Sequence, residues 1–225
     1  MSDFWTSLDF GVVWRFRYAF LTGLGVTLFL SAVGLVCGTF LGGLVAIGTS
    51  SRRPWIVVPL RGFVEVLRST PLLMQAIWIH FAMPALLGFS LVPTESACVA
   101  LVLNVGAYAS EIIRAGISAI GKGQIEAARA LALPARLVWA KVILPQALRI
   151  VLPPLTGMAI STVKASAILS ILAINDLMRV AMRINGFTFR PVELFTAAAL
   201  LYFLVGLAVG QVGTWAERRW KVMPA

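Results

Sequence analysis

The chain has 225 residues, 60% of them hydrophobic and 12% charged, with a mean hydropathy of +0.92. That composition excludes an ordinary water-soluble domain, and the apolar runs lack the period-two alternation of a membrane β-barrel. The formal charge of +10 would suit a nucleic-acid partner if it were clustered for one, and its distribution along the chain shows that it is not.

The expected class is an all-α polytopic membrane protein with about five transmembrane helices. The N-terminus, "MSDFWTSLDF", is acidic where a secretory signal would be basic, so no signal peptide is expected. Residues 1–19 carry Trp5, Phe10, Trp14, Phe16 and Tyr18 and suit a segment lying at the outer interface. Apolar runs follow at 20–49, 71–92, 96–113, 150–174 and 192–214, each long enough or nearly so to cross ~30 Å of hydrocarbon.

The first run carries Gly34, Gly38 and Gly42 four residues apart, a ridge on which another helix can pack closely. Between the first two runs, "WIVVPLRGFVEVLRST" places Arg61, Glu65 and Arg68 at i, i+4 and i+7, predicting an amphipathic helix along the inner interface. Ser69 and Thr70 cap it and Pro71 turns the chain into the second run. Cys37 and Cys98 read as small buried hydrophobes, and His80, lacking a second ligand nearby, as a packing or pore-lining residue. The third run aligns Asn104, Tyr108 and Glu111 on one face, with Glu111 placed to pair with Arg114 or Arg68. Lys164 lies inside the fourth run, either used by a solute or paired with a carboxylate or helix-end carbonyls. Residues 175–190 predict a short outer amphipathic helix and turn.

With the N-terminus outside and five crossings, the inner segments hold thirteen basic residues against Glu65, Glu126 and Glu217. The outer segments hold five of each sign. The entire excess therefore lies on one face, which the positive-inside rule assigns to the cytoplasm. The basic balance is topology.

One stretch interrupts this plan. "EAARALALPARLVWAKVILPQ", residues 126–146, reads as helix, break, helix. Glu126 sits well near a helix start, and Ala127, Ala128, Ala130 and Ala132 give strong helix propensity with a low profile. Leu133-Pro134 stops this helix; a second carries Leu137, Val138 and Val142 and ends before Pro145. A small-faced helix outside the membrane suits a groove on another protein. It would equally serve as an interfacial connector between two spans.

The stretch resembles the Glu-Ala-Ala loop of binding-protein-dependent ABC transporter permeases. Glu126, Ala127, Ala128, Leu144 and Pro145 match its spacing, while Ala132 replaces the motif's glycine and Val142 its isoleucine. "VEVLRSTPLLMQ", "NVGAYASEIIRAGISAIGKGQ", "LPQALRIVLPPL" and "FTFRPVELF" extend the likeness over about residues 20–220, to the branch importing polar amino acids. The resemblance implies a type I importer permease architecture: a transmembrane domain over 20–215, its coupling loop at about 116–145, and a basic cytoplasmic tail at 216–225. It implies a multi-pass protein of the bacterial inner membrane, N-terminus outside and C-terminus cytoplasmic. It also implies that Glu126, Ala127, Ala128, Ala132 and Leu133 couple to a cytoplasmic ATPase dimer. Implied partners are a second permease subunit, alike or different, a periplasmic or extracellular solute-binding protein, and a polar amino acid. The candidate solute path comprises Ser69, Thr70, Asn104, Tyr108, Glu111, Lys164, Ala165 and Ser166; Ala165 stands where relatives often carry an acid. No Walker-type glycine loop is present, so the chain is expected to be a transport subunit and no enzyme, with ATP-Mg on the partner and no cofactor or metal of its own. An ion-coupled secondary transporter is the alternative, but the second half of an inverted repeat is absent and membrane carboxylates are few. An intramembrane enzyme would need paired aspartates, a Ser–His pair or several metal ligands inside, and the sequence offers only His80 and isolated polar groups.

Overall fold

A computed structural model describes residues 8–51 and 53–221, and every regular element among them is helical. Trp5 and the last four residues of the basic tail lie outside the described residues. After a short α1 (Gly11–Arg15), α2 runs unbroken over Arg17–Thr49. At ~1.5 Å per residue it is roughly 50 Å long, ample for the ~30 Å hydrocarbon layer. Its glycine ridge does what the spacing predicts. A Cβ on Gly34, Gly38 or Gly42 would sit 2.9, 2.7 or 2.6 Å from a Cβ of Leu101, Val105 or Ala109. Those three residues belong to α5 (Pro93–Ser118), so the two helices meet almost backbone to backbone.

Between them, α3 (Pro54–Ser69) and α4 (Leu72–Leu87) are bent by 107° and together offer at most one crossing. The bend follows from Pro71: Thr70 before it is held extended, at φ −100° and ψ 129°. α4 rises only about 24 Å, and it changes to π-helical pairing over Trp78–Ala82. Among the described residues, four continuous helices are long and apolar enough to cross a membrane, so the expected five are met only if the bent pair counts as one.

The expected stop before Pro145 does not occur. A single helical run, α7, extends over Ala135–Leu172 and contains Pro145, Pro153 and Pro154. Pairing is π-type over Val138–Ile143, and the wider turn receives the Pro145 ring where an α-turn would clash with it. The preceding helix, α6 (Lys122–Ala130), ends before Leu133-Pro134 is reached, in a turn at 131–132.

The expected outer helix is α8 (Leu177–Thr188), and it is packed, not merely adsorbed. Leu177, Val180, Ala181 and Ile184 are buried against α2 and α9 (Pro191–Lys221). Val12 and Phe20 join this cluster, so the N-terminal segment is anchored there while Trp14 and Tyr18 remain exposed. The main core gathers Leu30, Ala97, Leu101 and Leu169 between α2, α5 and α7. Cys98 is partly buried, but Cys37 is exposed, contrary to expectation.

Candidate functional site

Two regions hold the predicted residues. The first is α6 and the turn after it. Glu126, Ala127 and Ala130 are exposed, whereas Ala128 is buried against Ile120, Val138, Ile143 and Ala147. The small outward face therefore rests on an apolar pad built from the start of α7. The Leu131 amide bonds the Ala127 carbonyl (3.1 Å) and the Leu133 amide reaches back to Ala128 (3.2 Å), satisfying carbonyls that a helix end leaves open. That second bond closes a Schellman turn, and its geometry forces Ala132 to φ +53°. Glycine is the residue suited to that conformation, which accounts for the motif's choice and marks Ala132 as strained. Leu131 is left 74% exposed and Leu133 37% exposed, two apolar side chains flanking the small face.

The second region lies among α3, α4, α5 and α7. The Gln75 side-chain amide donates to the carbonyls of Leu67 (2.6 Å) and Thr70 (2.8 Å), and so caps the end of α3 across the bend. Asn104 donates to the Gln75 carbonyl oxygen at 3.4 Å, and Tyr108 donates to the Arg68 carbonyl at 3.4 Å. Glu111 accepts from Arg114 at both oxygens (3.1 and 2.6 Å) and lies 3.8 Å from Arg68, so it pairs with both expected partners. Asn104, Tyr108 and Ala165 line a cavity of about 260 Å³ with Met158, Ser161 and Thr162. Ser69 donates to Glu65 and Thr70 to the Val66 carbonyl, both near the bend and outside the cavity lining. Ser166 is fully buried and donates to Val163. Lys164 is exposed and has no hydrogen bond or ion pair to any described residue.

Two buried polar residues that hold the fold escaped the sequence reading. Gln75 is the one amide in an apolar run, which was its signal. Asp176, one of the five acids of the expected outer segments, is fully buried and caps α8 by accepting from the Arg179 amide (2.9 Å). Burial pushes its carboxyl above the usual carboxylate range, against the pull of that backbone donor. His80 shares a hydrogen bond with Ser96 (2.9 Å), and among the described residues no metal-ligating cluster forms.

This helical packing, with a cavity between α5 and α7 and a short small-faced helix before α7, is matched by known proteins. Residues 14–222 fit the family model described as the binding-protein-dependent transport system inner membrane component. The chain belongs to this family. This permease is 38% identical to the arginine transport system permease protein ArtQ of Bacillus subtilis, over 89% of its length and 92% of that protein. It is 33% identical to the glutamine transport system permease protein GlnP of Escherichia coli K12, over 96% and 99%. Among solved structures, an amino acid ABC transporter with histidines superposes with a TM-score of 0.88 at 34% identity, covering 95% of the permease and 99% of that chain. The MetNI methionine ABC transporter, at 19% identity and a TM-score of 0.78, shares the fold.

Proposed function

We propose that this permease carries a polar amino acid through the bacterial inner membrane as one of two membrane subunits. A separate ATPase dimer drives it and a solute-binding protein feeds it. The solute class is suggested by the relatives named for arginine and glutamine transport. The observation that carries the coupling assignment is α6: a short exposed helix with a low-profile face, seated on a pad continuous with α7. A docked ATPase subunit can push on such an element, whereas a loose connector would absorb the motion. Glu126, Ala127, Ala132 and Leu133 form the contact, and Ala128 fixes α6 to its pad. The cytoplasm then lies on the side of α6, with the C-terminus inside and the N-terminus outside, as the basic excess requires.

The 260 Å³ cavity lies near the lower end of the ~300–1,000 Å³ usual for ligand sites and suits a small polar solute. Asn104, Tyr108 and Ser161 offer hydrogen bonds there. Ala165 contributes no charge, so a neutral or acidic side chain on the solute fits better than a cationic one.

The test is Glu126→Lys. It should reduce solute uptake and co-purification with the ATPase together while the protein still inserts and folds. Normal ATPase capture and uptake would remove α6 as the docking element.

A further inference from the structure

Where α2 ends, a cleft of about 290 Å³ opens between α3 and α5. Arg61, Glu65 and Arg68 line it from α3, Glu111 and Arg114 from α5, and Thr49 is the last residue of α2. Ser50, Ser51 and Arg53 follow Thr49, so the apolar run gives out at this depth and the cleft lies where hydrocarbon meets headgroups. Beside the charged face, α3 exposes Trp55, Val58 and Val66, each between 65% and 69%. These form an exposed apolar stripe beside the charged cleft, and the Arg53 guanidinium lies 5.9 Å from the centre of the Trp55 ring.

The charges are unevenly satisfied. Three guanidinium groups face two carboxylates, a balance of one positive charge. Arg114 occupies both oxygens of Glu111, and Glu65 accepts the Ser69 hydroxyl. Arg61 makes no hydrogen bond or ion pair to a described residue, and Arg68 touches Glu111 only at 3.8 Å. Two forked donors thus retain open hydrogen-bonding capacity, and guanidinium groups match phosphate oxygens in pairs.

We propose that this cleft binds the phosphodiester headgroup of an anionic membrane phospholipid. Arg61 and Arg68 hold the phosphate, and an acyl chain lies along Trp55, Val58 and Val66. One phosphodiester neutralises the single excess charge, and glycerol hydroxyls of a phosphatidylglycerol head can donate to Glu65. A free phosphate satisfies the arginines but leaves the apolar stripe bare. Basic pockets between helices at the membrane boundary favour lipid headgroups for this combined reason. The inference needs only the membrane embedding and does not depend on the solute or the docking partner.

Native mass spectrometry of the full-length protein, titrated with phosphatidylglycerol, phosphatidylcholine or inorganic phosphate, tests this. Phosphatidylglycerol should bind preferentially, and Arg61→Gln with Arg68→Gln should weaken it about tenfold or more. Glu65→Gln, which removes a competing negative charge, should tighten it several-fold, and Arg183→Gln elsewhere should leave it unchanged. If the double variant fails to fold, Arg61→Gln alone carries the test with Glu65→Gln as its opposite. Equal lipid binding by wild type and Arg61→Gln overturns the proposal, as does displacement of the lipid by inorganic phosphate at matched concentration. A photo-crosslinking amino acid at position 61 that captures another protein subunit in intact membranes, and no phospholipid, overturns it as well.

Discussion

Ala132 shows how a single atom can be out of place in a functional turn. Its Cβ is carried at φ +53°, where an L-residue costs about 1 kcal/mol or more relative to glycine. Ala132→Gly should therefore raise the thermal stability of the purified protein by up to about 1 kcal/mol, since part of the relief returns as unfolded-chain entropy. Ala132→Val, with a branched Cβ, should lower it and weaken ATPase capture. Asp176 yields a pH-dependent expectation. Its buried carboxyl holds a proton more tightly folded than unfolded, so its contribution is fully present below the ordinary value of 3.8 and is lost as pH rises through the raised folded value. Asp176→Asn keeps the oxygen that accepts from Arg179 and cannot ionise. It should gain stability relative to wild type as pH climbs toward neutrality, read as unfolding temperature against pH. Asp176→Ala should be about 1 kcal/mol less stable than Asp176→Asn at every pH, because the cap itself is gone while neither variant ionises. Parallel pH profiles for wild type and Asp176→Asn would refute the account.

At the scale of elements, the α2–α5 contact depends on absent side chains. A Cβ at Gly42 would meet the Gly106 carbonyl oxygen at 2.8 Å and the Ser110 amide at 2.9 Å, both backbone atoms that cannot rotate aside. Gly42→Ala should therefore force the helices apart at a cost of about 1–3 kcal/mol. The loss should appear as a lower unfolding temperature in detergent, with Gly43→Ala, which meets nothing within 4 Å, as the unaffected control. The ridge was legible because period-four glycines in an apolar run have few other uses. The bend at Pro71 was legible for a similar reason. What sequence could not supply was the cap across that bend, because Gln75 works through carbonyls of residues 67 and 70 that are identical in every sequence. The run through Pro145 was misread because proline's local penalty is clear while the π-turn that absorbs it has no composition of its own.

Across the whole molecule, the all-α membrane class, four of the spans and the family were readable from apolar run length and motif spacing. The convergence of Asn104, Tyr108 and Ala165 around one cavity was not, since it depends on how α5 and α7 cross. The pad beneath α6 was equally hidden, its members lying on both sides of the turn at Ala132. It carries a test of transmission: Ala128→Leu should overpack the pad by about 1–3 kcal/mol and lower solute-stimulated ATP hydrolysis while membrane insertion persists. The uninterrupted α7 has a further consequence. From Ala135 to Ala165 it extends roughly 45 Å, so the seat of the proposed docking helix and the lining of the cavity belong to one helical run. Two sites joined this way obey linkage: whatever factor ATPase docking applies to solute affinity, solute must apply to docking. A filled cavity should thus be detectable without any transport at all, as a changed dissociation constant between this permease and its ATPase.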